Sequence, residues 1–136
     1  MICIREPKTK EEFNSYYKLR WELLRKPWNQ PRGSEIDDDL EDKSFHIAAF
    51  DKNKIIGVGR LHKNNEEEGQ IRLLAVNEDY RKKGVGREIM NKLHQKAKEL
   101  KLKRIILNAR KNSIGFYKKL GYKIIGKAQT IFRKIE

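Results

Sequence analysis

The residues best placed to do chemistry run from Leu74 to Arg87: Leu-Ala-Val-Asn-Glu-Asp-Tyr-Arg-Lys-Lys-Gly-Val-Gly-Arg. An apolar run that reads as a strand end passes into a basic loop, and two glycines then open an amphipathic stretch. The first turn of a helix carries unpaired N–H groups and a partial positive charge, so it suits an anion. Glycines at 84 and 86 would let the backbone approach a phosphate with no Cβ in the way. Arg81, Lys82, Lys83 and Arg87 bring four cations to the same place. A diphosphate ligand is the natural inference.

Other chemistries fit poorly. Gly84-Val85-Gly86 begins a dinucleotide fingerprint, but Ile89 stands at the third glycine position and seven residues, Asn77 to Lys83, separate the strand from the glycines. The Gly-Lys-Ser/Thr of a nucleotide-binding P-loop is missing. His46, His62 and His94 are scattered without a partner at metal-ligand spacing, and the acidic run from Glu35 to Asp42 lacks the glycine and terminal glutamate of a calcium loop. No metal is expected. Cys3 is the sole cysteine, which excludes an intramolecular disulfide, and no Gly-x-Ser-x-Gly nucleophile turn exists.

The elements that must hold the glycine turn can be read from periodicity. Val85, Ile89, Leu93, Ala97 and Leu100 recur at helical steps directly after it. Gln70 to Val76 and Lys103 to Asn108 read as the strands on either side. Upstream, Met1 to Arg5 is a short strand, and Thr9 caps a helix reaching Leu24, broken by Pro27, Pro31 and Gly33. Phe45 to Phe50 and Lys54 to His62 form a hairpin. Downstream come a short helix from Asn112 to Leu120, then strands at Tyr122 to Ile125 and Ile131 to Ile135. With 136 residues and no linker or repeat, one α/β domain over 1–136 is expected.

The net charge of +13, from 32 Lys and Arg against 19 Asp and Glu, attracts anions: nucleic acid, an acidic membrane surface or a polyanionic cofactor. No stretch is apolar enough to span a membrane, and the first residues meet a charge at once, so a cytoplasmic protein is expected. Six acids sit between Glu35 and Asp42. They read either as a solvated loop balancing a basic chain or as an attractor for a cationic substrate, with Glu35 a candidate acid. Gln70 and Arg72 alternate with Leu74 on one strand face, either toward a substrate or simply exposed.

Arg81-Lys82-Lys83-Gly84-Val85-Gly86 resembles the Arg/Gln-x-x-Gly-x-Gly/Ala signature of the GNAT superfamily of N-acetyltransferases. Asn108-Ala109-Arg110, Asn112 and Phe116-Tyr117-Lys118-Lys119-Leu120-Gly121-Tyr122 are similar to that family's second signature. The resemblance implies a mixed, mostly antiparallel twisted sheet of about six to seven strands with about four helices and a splayed central parallel pair. It implies acetyl-CoA as cosubstrate, an amine acceptor (small molecule, peptide or protein) and direct transfer in a ternary complex. By that likeness the pantetheine arm lies along Leu74, Ala75 and Val76, with the Leu74 N–H toward the thioester oxygen. Arg81, Lys82, Lys83, Gly84, Val85, Gly86 and Arg87 hold the pyrophosphate, and Asn108, Ser113, Phe116 and Lys119 line the cofactor. Tyr117 matches the general acid; its other reading is a helix aromatic packed beside Phe116. Some family members use a glutamate base on the strand where Gln70 stands here, so the base is unassigned. The rival is a basic, non-catalytic polyanion-binding module on a degenerate version of the fold, but no nucleic-acid motif supports it. A homodimer is left open.

Overall fold

Thr9 starts the first helix as expected: its hydroxyl accepts from the Glu12 N–H at 3.0 Å, satisfying one orphan donor of the first turn. The computed structural model describes residues 1–125 and 130–135. Among these, seven strands and three α-helices follow in the order β1 (Ile2–Arg5), α1 (Lys10–Leu24), β2 (Phe45–Asp51), β3 (Lys54–Lys63), β4 (Glu68–Val76), α2 (Val85–Glu99), β5 (Arg104–Asn108), α3 (Ile114–Lys119), β6 (Lys123–Ile124) and β7 (Thr130–Lys134). About four helices were expected. Instead, short 3-10 turns such as Lys26–Trp28 and Glu41–Lys43 occupy the α1–β2 connection, where prolines 27 and 31 deny a longer helix its N–H groups.

The strands form one mixed sheet, β1-β2-β3-β4-β5-β7-β6. Every neighbouring pair is antiparallel except the central one, β4 and β5. α2 covers one face with Val85, Ile89, Met90, Leu93 and Ala97, packed on Ile47, Ile56, Leu61, Ile71 and Ile105. The expected last member of that stripe, Leu100, caps the helix instead and is 37% exposed, while Leu102 is buried in its place. Gly59 lets α2 lie close on β3: a Cβ there would come within 2.8 Å of Ile89 Cγ2. α1 covers the opposite face, where Tyr16 and Leu19 meet Ala48, Phe50, Ile55 and Val58.

One irregularity bears directly on the site. On β3, Val58 pairs with Ala75 and Arg60 with Arg72, so Gly59 faces two residues, Leu73 and Leu74. This is a β-bulge, and Leu73 takes the left-handed conformation within it, φ 60°. An inserted residue reverses the alternation of faces. Before the bulge Ile71 points into the α2 core; after it Leu74 and Val76 do, while Ala75 joins the α1 side. The expectation that Gln70, Arg72 and Leu74 share a face is therefore corrected. Period-two counting cannot see a bulge.

Candidate active site

β4 and β5 pair over three residues only, Glu68 with Arg104, Gly69 with Ile105 and Gln70 with Ile106. Beyond Gln70 the ladder stops although both strands continue. The strands part as expected, and the gap is a cleft of about 800 Å³ bounded by Ile71 to Val76 on one side and Leu107 to Arg110 on the other. β4 remains paired to β3 at Ala75 and Val76, so its other backbone edge faces the cleft with no strand beside it. Unpaired strand edges bind extended groups that present amides.

The glycine turn closes one end. Lys82 (φ 65°) and Gly84 (φ 81°) take left-handed conformations, and α2 begins at Val85 with no side-chain cap. The first-turn N–H groups therefore point from the helix end without intrahelical partners. Gly84 is required by its dihedral rather than by crowding, since a Cβ there would meet nothing within 4 Å. Gly86 differs: its Cβ would sit 3.4 Å from the Phe116 ring, so it maintains the narrow join between α2 and α3. Arg81, Lys82, Gly84, Val85, Gly86 and Arg87 all line the cleft. Lys83 does not; its ammonium lies over the Tyr80 ring, 5.5 Å from the centroid.

From the far wall come Asn108, Ser113, Phe116 and Tyr117. Lys119 is exposed at the end of α3 and lies outside the cleft lining. Tyr117 is a packed helix aromatic, as one of its two readings expected. Its ring packs edge-on against Phe116 and Tyr122, with centroids 5.0 and 5.7 Å away, and it also lines the cleft. Burial pushes its phenol up to about 12, with the Arg110 guanidinium opposing. The group is thus protonated at neutral pH and able to donate.

Four acids of the run, Glu35, Asp37, Asp38 and Glu41, are neither free nor merely solvated, while Asp39 and Asp42 are exposed. Arg60, fully buried on β3, donates to both Asp38 oxygens at 3.0 and 2.7 Å and to Glu41. Arg72 grips Asp37 through both amino groups at 2.8 and 2.7 Å and reaches Asp38 at 2.9 Å; Arg25 meets Asp37 at 3.0 Å. Arg20, also fully buried, pairs with Glu41 at 3.1 Å. The Arg60 guanidinium holds the Asp38 carboxyl far below the usual range. Glu35 is 4% exposed, accepts from the Gly33 N–H at 2.7 Å and does not line the cleft. It braces its own turn, which corrects the expectation of a substrate acid.

Of the other tentative substrate residues, Gln70 and Arg72 both line the cleft. Sequence reasoning missed Leu23, Leu24 and Arg25, which bring the end of α1 to the cleft, as well as Tyr80, Arg110 and Asn112. Contacts between α1 and β4 are long-range and leave no local pattern; Tyr80, Arg110 and Asn112 stand within the two motifs already singled out and were within reach. Among the described residues no cluster of His, Cys, Asp and Glu could hold a metal ion, and no helix is long and apolar enough to cross a membrane.

Residues 13–122 match the sequence profile of the Acetyltransferase (GNAT) family. The chain is 33% identical over 124 residues to the uncharacterized N-acetyltransferase YjcF of Bacillus subtilis, covering 91% of this chain and 87% of that protein. It is 27% identical to YyaT of the same organism, over 89% and 82%. In structure it is similar to a GNAT-family acetyltransferase from Staphylococcus aureus Mu50, with a TM-score of 0.86 at 16% identity over the full length of both chains. An aminoglycoside 6'-N-acetyltransferase complexed with coenzyme A superposes with a TM-score of 0.81 at 16% identity, over 100% of this chain and 97% of that one.

Proposed function

Because the chain belongs to the GNAT acetyltransferase family and is an N-acetyltransferase, we propose that it carries an acetyl group from acetyl-CoA directly to a primary amine within a ternary complex. The observation that carries this reading is the parting of β4 from β5 beyond Gln70, opening onto the uncapped start of α2. A thioester-bearing diphosphate fits the residues present. A bare strand edge can take the amides of an extended arm, and a first helical turn flanked by Arg81, Lys82 and Arg87 can take the diphosphate.

Bound acetyl-CoA supplies an acyl group activated as a thioester. The chain's own residues then have three tasks. The Leu74 N–H would donate to the carbonyl oxygen as negative charge develops there. The amine lone pair forms the C–N bond, the C–S bond breaks with its electrons going to sulfur, and the Tyr117 hydroxyl gives that sulfur its proton. The proton left on the new amide nitrogen passes to water, and water restores the phenol. Asn108, Ser113 and Phe116 fix the arm along the β5 side.

Calorimetry with acetyl-CoA and a thiol-release assay with amine acceptors test this reading. Saturable acetyl-CoA binding that is lost when Gly84 is replaced by Val is the expected result. Absence of acetyl-CoA binding by the wild-type protein would overturn it.

A further inference from the structure

A transferase of cationic amines is expected to offer carboxylates where the amine enters, both to attract it and to remove its proton. Here no Asp, Glu or His lines the cleft among the described residues; of the positions outside them, 126–129 (Gly-Lys-Ala-Gln) hold no acid and 136 is a glutamate. The lining carries six cations instead. Three of them, Arg81, Lys82 and Arg87, stand at the glycine turn and face the phosphates in the proposed function, on which this inference rests.

The other three lie outside the glycine turn, and the proposed function gives them to the acceptor side. Arg25 comes from α1, Arg72 from β4, and Arg110 from the segment after β5, where its charge acts on the Tyr117 phenol. Asp37 accepts from both Arg25 and Arg72 and does not itself line the cleft. Asp38 is taken by Arg60 and Arg72. Arg110 has no carboxylate within ion-pair distance among the described residues. The remaining phenol in the lining, Tyr80, donates to Asp51. Among the described residues the acceptor end is therefore net positive, with no base of its own.

We infer that this cleft takes its acceptor as the free amine: a weakly basic amino group, such as the α-amino group of a neutral or acidic peptide, on a carrier without further positive charge. A cationic surrounding disfavours a bound ammonium, by the same physics that lowers the pKa of a lysine beside another cation. It therefore favours the unprotonated amine, whose proton has gone to water before the amine attacks. It also sets selectivity. An α-amino group with a pKa near 7.9 offers at pH 7 about 300-fold more free amine than a lysine side chain near 10.4. Polycations are further penalised by repulsion from Arg25, Arg72 and Arg110.

The test begins with wild-type protein shown by calorimetry to bind acetyl-CoA. CoA release at pH 7 is then compared for a neutral tetrapeptide with a free N-terminus, the N-acetylated tetrapeptide bearing one lysine, spermidine and kanamycin. The free α-amino peptide should exceed each of the others at least tenfold in kcat/KM. For each acceptor used, kcat/KM should rise with pH up to that acceptor's own pKa. Arg110→Glu should narrow the gap between peptide and spermidine severalfold. Spermidine or kanamycin as the best acceptor would overturn the inference, as would one enzyme pKa shared by all acceptors. Acetyl-CoA binding without transfer to any of the four would overturn it too, leaving the cofactor site standing. Failure to bind acetyl-CoA would instead remove the proposed function itself.

Discussion

Tyr117 is packed in the core and lines the cleft at the same time. Its ring is held by Phe116 and Tyr122, and burial keeps its hydroxyl protonated, with a pKa pushed up to about 12. Tyr117→Phe keeps the ring and removes the proton. It should leave acetyl-CoA affinity within about twofold while lowering kcat by about 10²-fold, the low end for a lost general acid; unchanged turnover in a steady-state assay would remove the assignment. No inflection from this phenol is expected in the pH–rate profile below pH 10. A second residue gives a pH effect on stability. Arg133 donates to His94 Nδ1 at 2.9 Å, so Nε2 carries the proton of the neutral ring and donates to Tyr122 at 2.7 Å. Burial first and Arg133 second lower the His94 pKa to about 4. A depressed folded value means that this contribution is whole above about pH 6.5 and drains away as pH falls toward 4, because the unfolded chain takes the proton first. Urea midpoints at pH 7 and pH 4.5 should show a loss of at most about 1 kcal/mol per pH unit that His94→Gln lacks.

At the scale of elements, the site is made by two departures from regular sheet. One is the end of the β4–β5 ladder at Gln70 and Ile106, and the other is the bulge at Leu73 and Leu74. The bulge turns Leu74 and Val76 into the α2 core and leaves the cleft edge of β4 as backbone rather than bulky side chain. Close seating of α2 on β3 completes the arrangement by placing the start of α2 at the mouth of the cleft. Gly59→Val tests that seating. A Cβ at 2.8 Å from Ile89 Cγ2 cannot be absorbed by a flexible chain end, so overpacking should destabilise the fold by about 2–3 kcal/mol. Chemical denaturation would measure it, and a shift under about 0.5 kcal/mol would show that α2 can ride up freely.

Across the whole molecule, the loop between α1 and β2 is tied to the sheet by Arg60 and Arg72 and to α1 and its end by Arg20 and Arg25, through Asp37, Asp38 and Glu41. Arg20 and Arg60 are fully buried, and the Nε atom of each lacks a hydrogen-bond partner among the described residues. Such a network gives little net stability over an apolar core, but removing one member is costly because its partners are left charged. Arg60→Leu should therefore destabilise by about 2–3 kcal/mol, softened because Arg72 and Arg20 still reach Asp38 and Glu41. A thermal melt should show this as a drop of several degrees. The network also holds Arg25 and Arg72 at the acceptor end, so the same variant should change acceptor KM more than acetyl-CoA affinity.

Much of this protein is legible in its residues alone. Helical repeats of Val85, Ile89, Leu93 and Ala97, the Thr9 cap and the alternating strands are local properties, set by sterics and hydrogen bonding within a few residues, and each element formed near its expected place. The glycine turn is equally local, since a left-handed residue at 84 and an uncapped helix start are written in Gly-Val-Gly. Other features depended on segments far apart in the chain. The bulge arises from pairing β4 to β3, and the fate of the acidic loop was decided by arginines on α1, β3 and β4. Charges that look free in a sequence find partners only when the sheet brings them together. For that reason the charged residues that line the cleft, among those described, are all cations, although Asp37 and Asp38 bond to one of them, Arg72.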